Sequence, residues 1–210
     1  MKHYLLILTL VLFACTNLCA QQTNSEWSDD EIKQANTAAG TSLSEEEQLV
    51  ILYCNLARLN GAKFLETYAD DYLSGTSKYE ASLRKELKTI SNLPMLQPEA
   101  NLCKSAKYHA EDMGKNGRTG HSSTNGQGFA DRLYSYYDGG AIAENCSYGH
   151  KHALDIVMQL LIDQGVESLG HRRNILNRSY TAIGVCITTH TQYKYNCVQD
   201  FGDKVITKME

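Results

Sequence analysis

The chain carries the sequence Gly170-His171-Arg172-Arg173-Asn174-Ile175-Leu176-Asn177 close to its C-terminal end. Two shorter stretches precede it, Gly120-His121-Ser122-Ser123 and Ala143-Glu144-Asn145-Cys146. Each of the three places a histidine or a carboxylate directly after a glycine or an alanine, so that little side-chain bulk stands beside it. Two imidazoles and a carboxylate that converge in a fold can hold a divalent metal ion or transfer protons near neutral pH. His121, Glu144 and His171 are therefore our candidate site residues.

Each candidate also has a purely structural alternative. His121 lies among small polar residues and could be a solvent-exposed loop histidine. Glu144 falls in a predicted strand, where a half-buried carboxylate needs a partner, and a salt bridge to Arg172 or Arg173 would supply one. His171 follows a predicted buried helix and could act only as a hydrogen-bonding residue at the end of that helix.

A fourth candidate is Asp163, which ends a predicted helix from His152 that is apolar on most of its circumference. Asp163 shares one stripe of this helix with Ile156 and Leu160, so its carboxylate is expected to point toward the interior. It would serve there either as a satisfied helix-end carboxylate or as a site residue.

Other chemistry is less well supported by the sequence. The segment around His109 is not an HExxH motif, because the glutamate is displaced and the second histidine is absent, so His109 is predicted to be a satisfied core histidine. Cys146 could act as a thiol nucleophile with His121 or His171, although an exported free thiol is usually structural or oxidised. Serine-hydrolase and nucleotide-binding motifs are absent from the sequence.

The first residues of the chain predict export. An apolar run of eleven residues, Tyr4 to Ala14, follows Lys2 and has the length of a signal-peptide core, whereas a bilayer span needs about 20 residues. Cleavage after Ala20 is the favoured processing, but an imperfect lipoprotein box leaves a lipid anchor at Cys15 open as the alternative. No other membrane candidate exists in the sequence.

The domain organisation that follows is a signal peptide over residues 1–20, a polar linker over 21–44 with one short helix at Asp29 to Ala35, and a folded domain over 45–205. With 42% apolar and 21% charged residues, the chain has enough apolar sequence for a core. The formal net charge is -4. This acidic balance gives no electrostatic reason to expect nucleic acid as a partner.

The cysteines are predicted to stabilise the scaffold. Removal of Cys15 and Cys19 leaves five, and export permits disulfides between them. If the last two strands form a hairpin centred on residues 191–192, opposite residues have numbers that sum to 383. Cys186 and Cys197 satisfy that sum, so we predict a disulfide between them.

The order of predicted elements indicates an α+β fold. A capping box at Ser44 and Glu47 opens a helix that ends near Asn60, and further helices follow. One strand, a buried helix and a hairpin over 182–201 complete the chain. Helices packed around a small antiparallel sheet are the simplest architecture for this order.

Several motifs in order resemble those of the CAP superfamily, which groups cysteine-rich secretory proteins, antigen 5 and plant pathogenesis-related proteins. The resemblance covers about residues 45–202, and the Gly170–Leu176 segment is similar to the bacterial branch of the superfamily. The remaining motifs are Leu93-Pro94-Met95-Leu96, Leu102 to Met113, Gly120-His121-Ser122, Ala143-Glu144-Asn145 and Val198-Gln199-Asp200-Phe201-Gly202.

The resemblance implies an α-β-α sandwich, secretion, and a central cleft lined by two histidines and two acidic residues. His121, His171 and Glu144 match three of these positions. Where relatives outside bacteria have Trp-Tyr-x-Glu, this chain has Leu161-Ile162-Asp163-Gln164, so Asp163 takes the fourth position only as a substitute.

We therefore expect an extracellular, periplasmic or envelope-attached CAP domain that binds a divalent metal such as Zn²⁺, or a small ligand, without established catalysis. The metal site would comprise His121, His171, Glu144 and Asp163. The partner would be a protein, a lipid or a small molecule, and not nucleic acid. The alternative is a metal-dependent, protease-like hydrolase with His121 and His171 as ligands and Glu144 as general base.

Overall fold

The structure is a computed structural model that describes residues 26–209. The predicted signal peptide and the lipid site at Cys15 lie outside these residues. Within the part of the chain that the structure describes, no helix has both the length and the apolar composition needed to cross a membrane.

Two capped helices open the described chain. Helix α1 spans Asp29–Ala35 and helix α2 spans Glu45–Leu59, and each begins at a serine that forms a complete capping box with the glutamate three residues later. The short helix and the capping box at Ser44 are thus confirmed. The segment between the helices packs on the fold, because Ala35 and Ala38 are fully buried and Asn55 donates to the carbonyl of Ala35 at 2.9 Å.

The next helical stretch changes its hydrogen-bond pattern along its length. Helix α3 spans Gly61–Phe64, then a π-helical segment covers Leu65–Ala69 and a 3₁₀ turn covers Asp70–Tyr72. This stretch is therefore only partly α-helical. Helix α4 follows at Lys78–Leu87.

The central part of the chain places a long helix beside the first strand. Strand β1 spans Gln97–Pro98, helix α5 spans Ala100–Asn116, and helix α6 spans Phe129–Tyr134. Helix α5 ends at Gly117, whose φ of 61° is the left-handed conformation that glycine adopts at helix ends. The turn that follows leads into the loop that contains His121.

The last third contributes most of the sheet. Strand β2 spans Ile142–Tyr148, helix α7 spans Ala153–Ile162, helix α8 spans Gly170–Ile175, and the hairpin strands β3 and β4 span Ala182–His190 and Lys194–Gly202. Helix α8 was missed by the sequence analysis, because its Gly-His-Arg-Arg sequence has no apolar period. It places His171 in its first turn.

The strand order in the sheet is β1-β3-β4-β2. β3, β4 and β2 are antiparallel neighbours, whereas β1 pairs with β3 in parallel, so the sheet is mixed rather than purely antiparallel. Helix α5 packs on one face of the β3–β4 hairpin. Helix α2 contacts β3 and α7, and apolar residues of both helices share the main core with Ile183 and Phe201. The predicted α-β-α architecture of the α+β class is confirmed.

The hairpin register differs from the predicted one by a single residue. Cys186 pairs with Val198, and Ile187 pairs with Cys197, so opposite residues have numbers that sum to 384. A one-residue slip moves a side chain to the other face of the sheet. Cys186 therefore packs against α5, whereas Cys197 lies in the main core on the other face. The predicted Cys186–Cys197 disulfide is wrong.

The described cysteines are all buried free thiols. They are Cys54, Cys103, Cys146, Cys186 and Cys197. Burial raises the pKa of Cys54 and of Cys186 to about 12. These thiols are therefore protonated and poorly reactive at neutral pH.

Candidate functional site

Strand β2 positions the candidate site, because it forms one edge of the sheet and its successive side chains point to opposite faces. Glu144 faces the layer of α5. Its neighbour Asn145 faces α8, where its Nδ2 donates to the carbonyl of His171 at 3.1 Å and its Oδ1 accepts from Asn174 at 2.9 Å. Adjacent residues of one strand thus connect to the two segments that carry the candidate histidines.

His121 and Glu144 form the first pair. Nδ1 of His121 lies 2.8 Å from Oε1 of Glu144. The carboxylate side chain is 1% exposed, whereas half of the imidazole surface is exposed. Burial alone would raise the pKa of Glu144. The hydrogen bond from His121 and the positive charge of Arg132 outweigh this effect, and they hold the pKa of Glu144 below its usual range. Glu144 is therefore ionised and accepts the hydrogen bond.

His171 and Asp163 form the second pair. Asp163 ends α7 with a φ of 57°, and this left-handed residue turns its buried carboxylate toward α8. Oδ2 of Asp163 accepts from the backbone N–H of His171 at 2.9 Å, and Oδ1 lies 2.7 Å from Nδ1 of the same residue. The carboxylate points inward at the helix end, as predicted, and it fixes both the backbone and the ring of His171.

The two pairs share one arrangement. In each, a buried carboxylate accepts a hydrogen bond from Nδ1 of a partly exposed imidazole, so that Nδ1 carries the hydrogen and Nε2 keeps its lone pair. No residue of the described range 26–209 forms a hydrogen bond with Nε2 of His121 or of His171. Carboxylate–histidine pairs of this kind are typical of histidines that bind metal through the second nitrogen.

Arg132 on α6 is the partner that the sequence analysis missed. Its fully buried guanidinium forms an ion pair with Oε2 of Glu144, and it also donates to the carbonyl of His121 at 2.8 Å. The alternative interpretation of Glu144, a salt bridge to Arg172 or Arg173, is wrong. Arg172 instead pairs with Glu86 of α4 at 3.1 Å. Nothing in the local sequence around Arg132 indicates this long-range contact.

A second buried carboxyl group lies directly opposite Glu144. Asp200 is its cross-strand partner in the β2–β4 pair and is fully buried. Burial raises the pKa of Asp200 well above its usual range, and the negative charge of Glu144 adds to this rise. Asp200 therefore holds the proton of this carboxyl pair, while Glu144 holds the charge. The sequence alone does not reveal this pair, because the pairing depends on the register between β2 and β4.

His109 and Cys146 complete the buried surroundings of Glu144. Nε2 of His109 donates to the carbonyl of Gly120 at 2.9 Å, but its buried Nδ1 has no partner among the described residues. His109 is thus only half satisfied, contrary to the prediction. Burial and the negative charge of Glu144 raise the pKa of Cys146 well above its usual range. A thiol in that state is a poor nucleophile.

Two hollows are lined by the candidate residues. The larger, of about 680 Å³, is lined by His171 and Asp163, with Tyr72, Tyr148 and Cys146 among its other walls. The smaller, of about 300 Å³, is lined by His121 and Glu144, and by Phe129, Asn174 and Tyr180. Both use β2 as a wall. The structure therefore gathers the four predicted residues as two histidine–carboxylate pairs around one edge strand.

The fold and these motifs define a class of protein. The family model of the cysteine-rich secretory protein family, CAP, matches residues 51–201. The chain belongs to this family. None of the curated proteins matches the sequence significantly.

Three solved structures are similar to this chain. They are an extracellular protein containing an SCP domain from Bacillus anthracis (20% identity, TM-score 0.49), an outer surface protein from Borrelia burgdorferi (24%, 0.45), and a cysteine-rich secretory protein from Staphylococcus aureus (16%, 0.39). The matches cover 85%, 62% and 67% of this chain, and 45%, 86% and 40% of those chains, respectively. This chain thus spans less than half the length of the Bacillus protein.

Proposed function

We propose that this protein is an exported CAP domain that binds a divalent metal ion, or a small polar ligand, through Nε2 of His121 and of His171. The observation that carries the proposal is the pair of buried carboxylates, each of which holds Nδ1 of one histidine, while Nε2 has no hydrogen-bond partner among the described residues and the histidine lines a hollow. Zn²⁺ suits this donor set, since imidazole nitrogen is among its preferred ligands.

In this proposal Glu144 and Asp163 orient the imidazoles and fix their tautomers. A bound Zn²⁺ would supply a Lewis acid with open positions for a ligand. The larger hollow beside His171 has the volume of a small-ligand site, which runs from about 300 to 1,000 Å³. Export is supported by the apolar run at the start of the sequence, and a location outside the cytoplasm follows from it.

Binding is favoured over hydrolysis by the state of Glu144. A general base needs a free carboxylate oxygen near the substrate. Both oxygens of Glu144 are already occupied, one by His121 and the other by Arg132, and the side chain is 1% exposed. The protonated thiol of Cys146 likewise offers no activated nucleophile.

The test is zinc content and affinity of the purified exported protein, measured by elemental analysis and calorimetry. We expect one equivalent of bound zinc to be lost in His171→Ala and in His121→Ala. His152→Ala is the matched control, because His152 also pairs through Nδ1 with a carboxylate, that of Glu46 at 3.0 Å, but lies outside both hollows. A number of bound zinc ions that is the same in both variants as in the wild-type protein would refute the proposal.

A further inference from the structure

Three side chains of the types that ligate metals converge next to Nδ1 of His121. One ligand atom each of His109, Glu144 and Cys146 lies within 4.8 Å of the other two, and all three residues are buried. His109 comes from α5 and the other two come from the same face of β2. The cluster includes a thiol, which distinguishes its chemistry from that of the two histidine–carboxylate pairs.

We propose that His109, Glu144 and Cys146 form a buried site for a thiophilic transition-metal ion such as Zn²⁺, with the carbonyl oxygen of Gly120 at the fourth corner. The proposal does not rest on the cleft site, because neither His171 nor His121 is one of its ligands.

The distances are close to those of a tetrahedral site. Zinc bonds of 2.0–2.3 Å place neighbouring ligand atoms roughly 3.3 to 3.7 Å apart. Nε2 of His109 lies 3.7 Å from Oε1 of Glu144, and Sγ of Cys146 lies 3.6 Å from the carbonyl oxygen of Gly120. The 2.8 Å hydrogen bond from Nδ1 of His121 to Oε1 of Glu144 stays in place, because a carboxylate oxygen has two lone pairs and can accept an N–H while it binds an ion. Small side-chain shifts therefore suffice.

The N–H group of His109 and the S–H group of Cys146 already point at the same atom, the carbonyl oxygen of Gly120. The carbonyl of Gly120 lies 2.9 Å from Nε2 of His109 and 3.6 Å from Sγ of Cys146, so two hydrogens converge on one oxygen. An ion between these atoms would displace the thiol proton to solvent, and the imidazole hydrogen of His109 would move to Nδ1. The Gly120 carbonyl would face the same ion.

The orientations of His109 and Glu144 suit the proposal. Nδ1 of His109 has no hydrogen-bond partner among residues 26–209, so no donor opposes the transfer of the ring hydrogen from Nε2 to Nδ1. Arg132 holds Oε2 of Glu144, so that Oε1 is the oxygen presented to the cluster.

Thiolate and imidazole ligands select the kind of ion. Sulfur donors favour Zn²⁺ and Cu(I), whereas Mg²⁺ and Ca²⁺ prefer an all-oxygen set. The proposed site should thus bind Zn²⁺ and Co²⁺, and should leave Mg²⁺ unbound at the same concentration.

Cobalt titration of the full exported chain under reducing conditions tests the site, because thiolate bound to Co²⁺ gives a charge-transfer absorption in the near ultraviolet. We expect this band in the wild-type protein and in His171→Ala, and its loss in Cys146→Ser and in His109→Gln. Cys186→Ser is the matched control, since Cys186 is equally buried in the same apolar cluster as Cys146 and should leave the band unchanged.

The outcomes separate the two metal proposals. A cobalt band that persists in His171→Ala, together with the loss of one equivalent of zinc in that variant, supports both sites. A wild-type protein that shows the band but binds no zinc beyond the buried site refutes only the cleft proposal. Absence of the band in cobalt-treated wild-type protein overturns the buried site whatever the variants do, and so does a band that disappears in Cys186→Ser but not in Cys146→Ser.

Discussion

At the scale of single residues, Arg132 holds the first histidine–carboxylate pair in place. Its guanidinium contacts the Glu144 carboxylate, the His121 carbonyl and, at 3.4 Å, the hydroxyl of Ser123. One side chain on α6 therefore ties the loop of His121 to strand β2. Since the carboxylate is fully desolvated, loss of its cation would leave a buried charge uncompensated.

Arg132→Met should consequently lower the free energy of unfolding by about 3 to 5 kcal/mol, as breaking a buried ion pair does. Arg173→Met, at an exposed position, should change it by less than about 0.5 kcal/mol. Urea unfolding followed by circular dichroism measures both. Adding Glu144→Gln to Arg132→Met should restore part of the loss, and equal losses in the two arginine variants would contradict this role of Arg132.

The carboxylate of Asp163 is predicted to act through His171. Asp163→Asn keeps the shape of the side chain but weakens the acceptor for Nδ1 of His171, so zinc affinity at the cleft should fall by about 10- to 100-fold. Calorimetry of the variant measures this. Asp155→Asn is a suitable control, because Asp155 lines the same hollow but bonds to Tyr72. Unchanged zinc affinity in Asp163→Asn would count against the proposed role.

At the scale of elements, the sequence predicted the two strands of the hairpin but not the register between them. Its two strands were predicted from their β-branched and aromatic composition, but their register was one residue off. The turn holds residues 191–193 between the pair His190–Lys194, and Lys194 adopts a φ of 69°. Both faces of β3 and β4 are buried over most of their length, so hydrophobic alternation cannot decide between registers that differ by one residue.

Close packing of α5 on β3 depends on Gly184. A Cβ atom there would lie 2.1 Å from the carbonyl carbon of Leu102 and 2.3 Å from the nitrogen of Cys103, both of them backbone atoms. Gly184→Ala should therefore force α5 away from the sheet and cost about 1 to 3 kcal/mol or more.

Thermal or urea unfolding measures this cost. Gly128→Ala is the matched control, since Gly128 has a φ of -70° and the nearest atom to its added Cβ would be 3.7 Å away. A Gly184→Ala protein as stable as the Gly128→Ala protein would show that α5 and β3 are not in direct backbone contact.

The buried carboxyl pair across β2 and β4 predicts a pH dependence. The pKa of Asp200 is raised in the folded state, so above the unfolded value of about 3.9 the unfolded chain loses this proton before the folded chain does. Stability from this group is complete at low pH and is lost as the pH rises through the folded pKa.

Asp200→Asn cannot ionise and should remove that decline. The difference in unfolding free energy between variant and wild type should therefore shift in favour of the variant as the pH rises from about 4 to about 8. Urea unfolding at several pH values measures it. A difference that is constant across this range would mean that Asp200 is not held protonated by the fold.

At the scale of the whole molecule, the sequence predicted the architecture better than the site. Helix ends were readable because capping residues such as Ser44 and Glu47 act locally. The four candidate residues could be named from ordered motifs. Their partners could not, because Arg132, Asp200 and His109 reach Glu144 only through tertiary packing.

The same packing buries the carboxylates and leaves the imidazoles accessible. Glu144 and Asp163 are buried and hydrogen-bonded, while the imidazoles that they hold remain partly exposed. Both rings therefore carry their hydrogen on Nδ1 and present Nε2 as a lone pair.

Nitrogen-15 NMR of the imidazole rings tests this tautomer most directly. The spectra are recorded at a pH at which the rings are neutral, first without zinc and then with zinc. His121 and His171 should both show a protonated Nδ1 and a bare Nε2 whose resonance moves on zinc addition. His190 is the internal control with the opposite tautomer, because its Nε2 contacts the Arg118 carbonyl at 2.8 Å and its Nδ1 accepts from backbone N–H groups. Protonated Nε2 atoms in His121 and His171, or zinc binding that leaves both Nε2 resonances unmoved, would contradict the account.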